Sequence, residues 1–121
     1  MNHVLSKIYT AHYRYGGPDR VDITVKGQDP RWKEFAPTWN MVMGVKKGTM
    51  SEAEYIRLYL IILSRVSTTT WDALLQMEEV TFVCFCNKDW FCHRNILVRY
   101  IVESLGDRVS YMGWREVPKK E

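Results

Sequence analysis

At 121 residues, with 46% hydrophobic and 13% aromatic side chains, the chain reads as one globular domain, large enough for a core without disulfide or metal staples. A net charge of +3 suits an anionic small molecule, or nucleic acid touched at few phosphates, but not a dedicated nucleic-acid binder. Three cysteines, an odd number, argue against a complete disulfide framework.

The opening "MNHVLSKIYT" lacks the long apolar run of a signal peptide. The most apolar stretch, "YIRLYLIIL", is too short to cross a bilayer. The expectation is a cytoplasmic protein with reduced thiols and no membrane partner. No repeat, low-complexity tract or linker divides residues 1–121, and the final "PKKE" reads as a solvated tail.

In chain order, "SKIYTAHYRY" predicts a first strand, and "GGPDR" ends it. "VDITV" alternates strictly, with Val21, Ile23 and Val25 on one face, which predicts a short half-exposed strand at an edge. From Lys26 to Gly48 the periodicity is poor, and so long an irregular segment in a compact domain is often functional. Ser51 with Glu54 forms a capping-box pattern, and Tyr55, Leu58, Tyr59 and Ile62 continue a buried helix. "TTTWDALLQM" predicts a shorter helix capped by Thr69. "VTFVCFC" is apolar on both alternating faces, as a central strand covered on both sides would be. A helix through Ile96, Leu97, Tyr100, Ile101 and Leu105 follows, closed by Gly106, and "RVSYMGW" is a last strand. These elements predict a three-layer α/β domain with a mainly parallel sheet and a βαβ unit in the C-terminal half.

All three cysteines fall in "VCFCNKDWFCHR", at the carboxyl end of a strand leading into a helix, where α/β sheets collect ligands. The helix N-terminus offers unpaired N–H groups, and Arg94 and Lys88 add positive charge, so an anion fits. Cys92 is a candidate reactive thiol, with His93 as an acid/base partner. The plainer reading makes this a solvated loop, with Cys92 packing the helix start and Arg94 in a surface ion pair. Cys84 and Cys86 read as core residues of an apolar strand.

Zinc would need Cys84, Cys86, Cys92 and His93 together. Residues two apart on a strand lie roughly 6.6 Å from one another, wide for sulfurs on one metal unless the strand bends at Cys86. Cys92 and His93, being adjacent, tend to point apart. No metal and no cofactor are therefore expected. Tyr13 and Arg14 carry the chemistry for holding a base, and Thr38 and Trp39 lie on the irregular segment. Each also has a structural reading: a half-buried strand for the tyrosine, a helix cap for Thr38, a core site for Trp39.

The combination of "EFAPTWNMV", "KKGTMSEAEYIRLYLIIL" and "VTFVCFCNKDWFCHRNILVRYI" resembles the domain-of-unknown-function 488 family over roughly residues 30–105. Ala36-Pro37-Thr38, Lys47-Gly48, Tyr55 and Tyr59, Cys84 and Cys86, and Cys92-His93-Arg94 carry the likeness. The resemblance implies a three-layer α/β fold in a cytosolic, often bacterial or phage, setting, and brings no established activity. The functional expectation is a domain that binds, and in its catalytic form acts on, an anionic nucleotide-like small molecule at the Cys-His-Arg helix start. A binding module without chemistry and a zinc-stabilised adaptor are the alternatives.

Overall fold

The computed structural model describes residues 5–27 and 29–117, and the "PKKE" tail lies outside them. Strands β1 (Ser6–His12), β2 (Arg20–Asp22), β3 (Glu79–Cys84) and β4 (Val109–Arg115) form one sheet in the order β2-β3-β1-β4. Every pairing is parallel, with Ile8 beside Val80 and Val21 beside Phe82. Parallel neighbours cannot be joined by a hairpin, so each connection must cross the sheet. A 3-10 helix (Pro30–Phe35) and helices α1 (Trp39–Lys47), α2 (Glu52–Ser64) and α3 (Thr68–Leu75) carry the crossing from β2 to β3. Helix α4 (His93–Leu105) carries the one from β3 to β4, which is the expected C-terminal βαβ unit.

The sequence explains where these elements start and stop. Thr38, Ser51 and Ser67 each turn a hydroxyl onto a backbone N–H of the first turn, capping α1, α2 and α3. The cap of α3 is thus Ser67 and not Thr69, and Glu34 holds its hydroxyl from the 3-10 helix. β2 is shorter than its alternation predicts. The Asp22 carboxylate accepts from both the backbone and the hydroxyl of Thr24, and this local turn ends the strand. Gly106 ends α4 with an ordinary right-handed backbone. Glycine is needed there because a Cβ would lie 2.7 Å from the Val102 carbonyl oxygen.

One face of the sheet carries the core. Ile8, Val21, Val80 and Phe82 pack with Phe35, Tyr59, Leu63, Leu97 and Ile101, all of them buried. Each large apolar side chain so buried contributes about 1.5–3 kcal/mol, enough to hold the helices on this face. The opposite face presents Tyr9, Ala11, Thr81 and Val83, and its cover comes from the loop between β1 and β2. Tyr15 donates to Asp19, Thr81 donates to the other Asp19 oxygen, and Arg115 lies 3.5 Å over the Tyr9 ring. The layers are therefore helices, sheet, and a loop of tyrosines tied down by an aspartate–arginine network. Among the described residues, no helix is long and apolar enough to cross a membrane.

Candidate functional site

The strand bearing the cysteines stops earlier than its apolar pattern predicts. β1 ends at His12, opposite Cys84, and the N–H of Tyr13 donates to the Cys84 carbonyl at 2.8 Å. Beyond that rung β1 offers no partner, so the chain bends. Phe85 turns outward and stacks on Tyr13 with ring centroids 4.0 Å apart. Cys86 returns toward the strand, its sulfur 3.9 Å from that of Cys84. Eight residues beyond Cys84, Cys92 occupies the cap position of α4 in extended backbone, φ −158° and ψ 142°, and makes no side-chain cap bond. Its sulfur points instead to Cys84 at 3.3 Å and lies 3.9 Å from His93 Nδ1. The bend at Cys86 and the extended Cys92 remove both geometric objections to a common metal. The donor atoms of Cys84, Cys92 and His93 all lie within 4.8 Å of one another.

The electrostatics follow from this crowding. Hydrogen bonds from the Cys84 and Cys92 thiols hold the Cys86 thiol far below its ordinary range, at about 3, with the charges of Arg94 and Lys46 assisting. The same sharing of protons with Cys84 and Cys86, added to burial, pushes Cys92 upward. Cys92 is thus buried and protonated, which is the reverse of the activated nucleophile expected from its position. Of the three thiols, only that of Cys86 is not buried, being half-exposed. His93 is buried, and loss of hydration lowers its pKa, so it is neutral. Its Nε2 lies 2.8 Å from the Ile23 carbonyl. A carbonyl only accepts, so Nε2 carries the proton and Nδ1 turns its lone pair toward the sulfurs.

Arg94, expected to clamp an anion, is fully buried. Its guanidinium donates to the carbonyls of Ala11, Cys84, Cys86 and Asn87, at 3.0, 3.4, 3.1 and 3.0 Å. Its face covers Trp114 at 4.8 Å. These bonds brace the carboxyl ends of β1 and β3 and both sides of the bend at Cys86. The arginine therefore builds the site from behind.

In front of the thiols lies a cavity of about 400 Å³. Trp39, Val42, Val45 and Lys46 line it from one face of α1, and Tyr55 does so from α2. Thr24 and Lys26 come from the chain after β2, while Phe91, Cys92 and His93 close the far side. Trp39 is 47% exposed, and the Lys26 ammonium sits 4.9 Å over its ring. Burial, with the nearby thiols adding to it, pushes the Tyr55 hydroxyl upward, so Tyr55 stays a neutral phenol.

The remaining expected residues divide. Trp39 faces the cavity, whereas Thr38 caps α1 through its bond from the Met41 N–H at 3.1 Å. Tyr13 is tied down, its hydroxyl on Asp22 at 2.9 Å and its ring under Arg20. Arg14 and Lys88 line a second cavity of about 250 Å³ with His12, Asn87 and Trp114. Sequence reading missed Lys26, Lys46, Tyr55 and Phe91 as cavity residues. The Val42–Val45–Lys46 spacing was the available signal, but it is hidden in a segment without a single apolar stripe.

A family model, DUF488-N3a, described as the active DUF488-N3 subclade, matches residues 5–105. The match reaches well before residue 30, where the motif likeness begins. No curated protein and no solved structure matches the chain.

Proposed function

The chain belongs to the DUF488-N3a family, and from that premise we propose that it binds a flat, anionic, nucleotide-like small molecule in the cavity before the cysteines. One observation carries the reading. The walls are aromatic and aliphatic, and the cationic side chains lining the cavity are two lysines, Lys26 and Lys46, with no carboxylate among the lining residues. A volume of about 400 Å³ lies in the range of small-molecule sites. Trp39, Tyr55 and Phe91 supply ring faces for a planar group. The head of α4, uncapped by any side chain, adds the positive end of a helix dipole. The position, at the carboxyl end of β3, is where parallel α/β sheets collect ligands. With three free thiols the protein belongs in a reducing cytoplasm.

The test is a thermal-shift screen of nucleotides against their uncharged nucleosides, followed by calorimetry on any hit. Nucleotides raise the melting temperature by mass action, and the uncharged nucleosides do so less. Lys26→Ala with Lys46→Ala weakens the hit about tenfold or more, since each charge-assisted contact is worth about 1.5–3 kcal/mol. If no nucleotide stabilises the protein, or the double variant binds as well as the wild type, the reading is wrong.

A further inference from the structure

We propose that Cys84, Cys86, Cys92 and Nδ1 of His93 form a four-ligand site for a soft or borderline metal ion, with zinc the natural occupant. Zinc–sulfur bonds of about 2.3 Å at tetrahedral angles set neighbouring sulfurs about 3.8 Å apart. Here Cys84 to Cys86 is 3.9 Å, Cys84 to Cys92 is 3.3 Å, and Cys92 to His93 Nδ1 is 3.9 Å. The donor atoms of Cys84, Cys92 and His93 all lie within 4.8 Å of one another, and the half-buried Cys86, whose sulfur is 3.9 Å from that of Cys84, supplies the fourth ligand by rotating its side chain toward them.

Two further features prepare the ligands. His93 holds Nδ1 unprotonated because Nε2–H is held by the Ile23 carbonyl, and Tyr59 packs edge-on against its ring at 5.4 Å. Such an outer hydrogen bond fixes the tautomer and raises the basicity of a metal-bound histidine. Arg94 donates to the carbonyls of both Cys84 and Cys86, which fixes the bend that turns the two sulfurs together. Three thiolates with a divalent zinc leave one net negative charge, beside the positive charge of Arg94.

The donor set decides the class of metal. Sulfur and imidazole select zinc, cobalt or cuprous copper, and the absence of oxygen ligands from the cluster excludes calcium and magnesium. Four protein ligands make a closed, structural site that pins the end of β3 to the head of α4. The thiol protons leave to solvent as the metal enters. All four proposed ligands come from the chain itself, so the site does not depend on the nucleotide-like ligand.

The test uses the full chain, reduced, stripped by chelator and titrated with cobalt(II) alone. One equivalent should produce sulfur-to-metal charge-transfer absorption and the intense visible bands of a tetrahedral site, and zinc should then displace the cobalt. Cys86→Ser, at the half-exposed position, should weaken cobalt by about tenfold or more and alter the bands. His93→Gln should do the same, while Lys88→Ala, outside the cluster, should bind as the wild type does. The reduced protein failing to take up cobalt or zinc overturns the proposal. Uptake that Cys86→Ser and His93→Gln leave unchanged overturns it equally, because the metal then sits elsewhere. Neither result bears on nucleotide binding, which is read separately by calorimetry on the stripped protein.

Discussion

Replacing Arg94 with methionine tests whether this arginine braces the fold or faces a ligand. Methionine keeps most of the aliphatic stem but removes every donor and the guanidinium face over Trp114. The carbonyls of Ala11, Cys84, Cys86 and Asn87 lose this donor, and Cys84 and Asn87 keep only those from the Tyr13 and Trp90 N–H groups. A hydrogen bond from a charged group is worth about 1.5–3 kcal/mol. Those gains do not sum over four bonds, because burying the guanidinium costs several kcal/mol of hydration. We expect a net loss of about 3–5 kcal/mol, since each buried carbonyl left unsatisfied costs about 1–3 kcal/mol. At roughly 0.05–0.15 kcal/mol per residue, a domain of this length has about 6–18 kcal/mol in all. The variant should therefore melt roughly 10–20 °C lower. Arg94→Lys, with one compact donor group in place of a planar fork, should recover only part of this. Urea unfolding gives the free energy, and an anion titration on the folded fraction gives the affinity. Stability within about 0.5 kcal/mol of wild type, together with lost anion affinity, would refute the bracing role and return Arg94 to the ligand.

Two other outcomes can be checked on the same material. In reduced, metal-free protein, iodoacetamide should label Cys86 before Cys84 or Cys92, because Cys86 alone of the three is not buried; peptide mass spectrometry showing Cys92 first would overturn that ordering. Acid should act through Asp19. Burial alone would raise its carboxyl, but bonds from Thr81 and Tyr15, with Arg115 beside it, bring the net pKa below the ordinary value. A depressed carboxylate contributes stability that is present above its unfolded pKa and lost as pH falls through the folded one. The stability gap between wild type and Asp19→Asn should hold at neutral pH and start to shrink only below about pH 4; a gap constant down to strong acid would show that Asp19 is not the titrating group.

Much of the fold was legible because single residues or unbroken patterns announce it. Ser51 marks the start of α2, and the doubly apolar "VTFVC" marks a strand with a partner on each side. Of α1 only the cap, Thr38, was legible, and the rest was hidden for a physical reason. Its buried residues, Met41 and Gly44, face the interior, whereas Val42 and Val45 face the cavity. A helix with apolar residues on two sides shows no single stripe, and a half-empty cavity gives no pattern of its own. Arg94 misled because a lone arginine after a cysteine-histidine pair looks the same in sequence whether it points outward or back beneath the strand ends.

The cysteines show where local rules give way to tertiary ones. Along an isolated strand Cys84 and Cys86 point alike yet stay too far apart to share a metal, and that holds only while the strand continues. Whether it continues depends on β1, whose last ladder residue is His12, seventy-two positions before Cys84. No pattern inside "VCFCNKDWFCHR" encodes that length. Once β1 ends, Phe85 has no sheet to lie on and turns outward to Tyr13, and this rotation carries Cys86 back toward Cys84. Cys92 behaves similarly. A serine or threonine in its place would cap α4, as Thr38, Ser51 and Ser67 cap their helices, and would hold the side chain against its own backbone. A thiol is a weak acceptor, so no cap bond competes for it, and the sulfur is left to join the other two. The choice of cysteine at a position that favours hydroxyls is therefore what gathers the cluster. Cys92→Ser should accordingly restore a capped helix while removing one sulfur from the site.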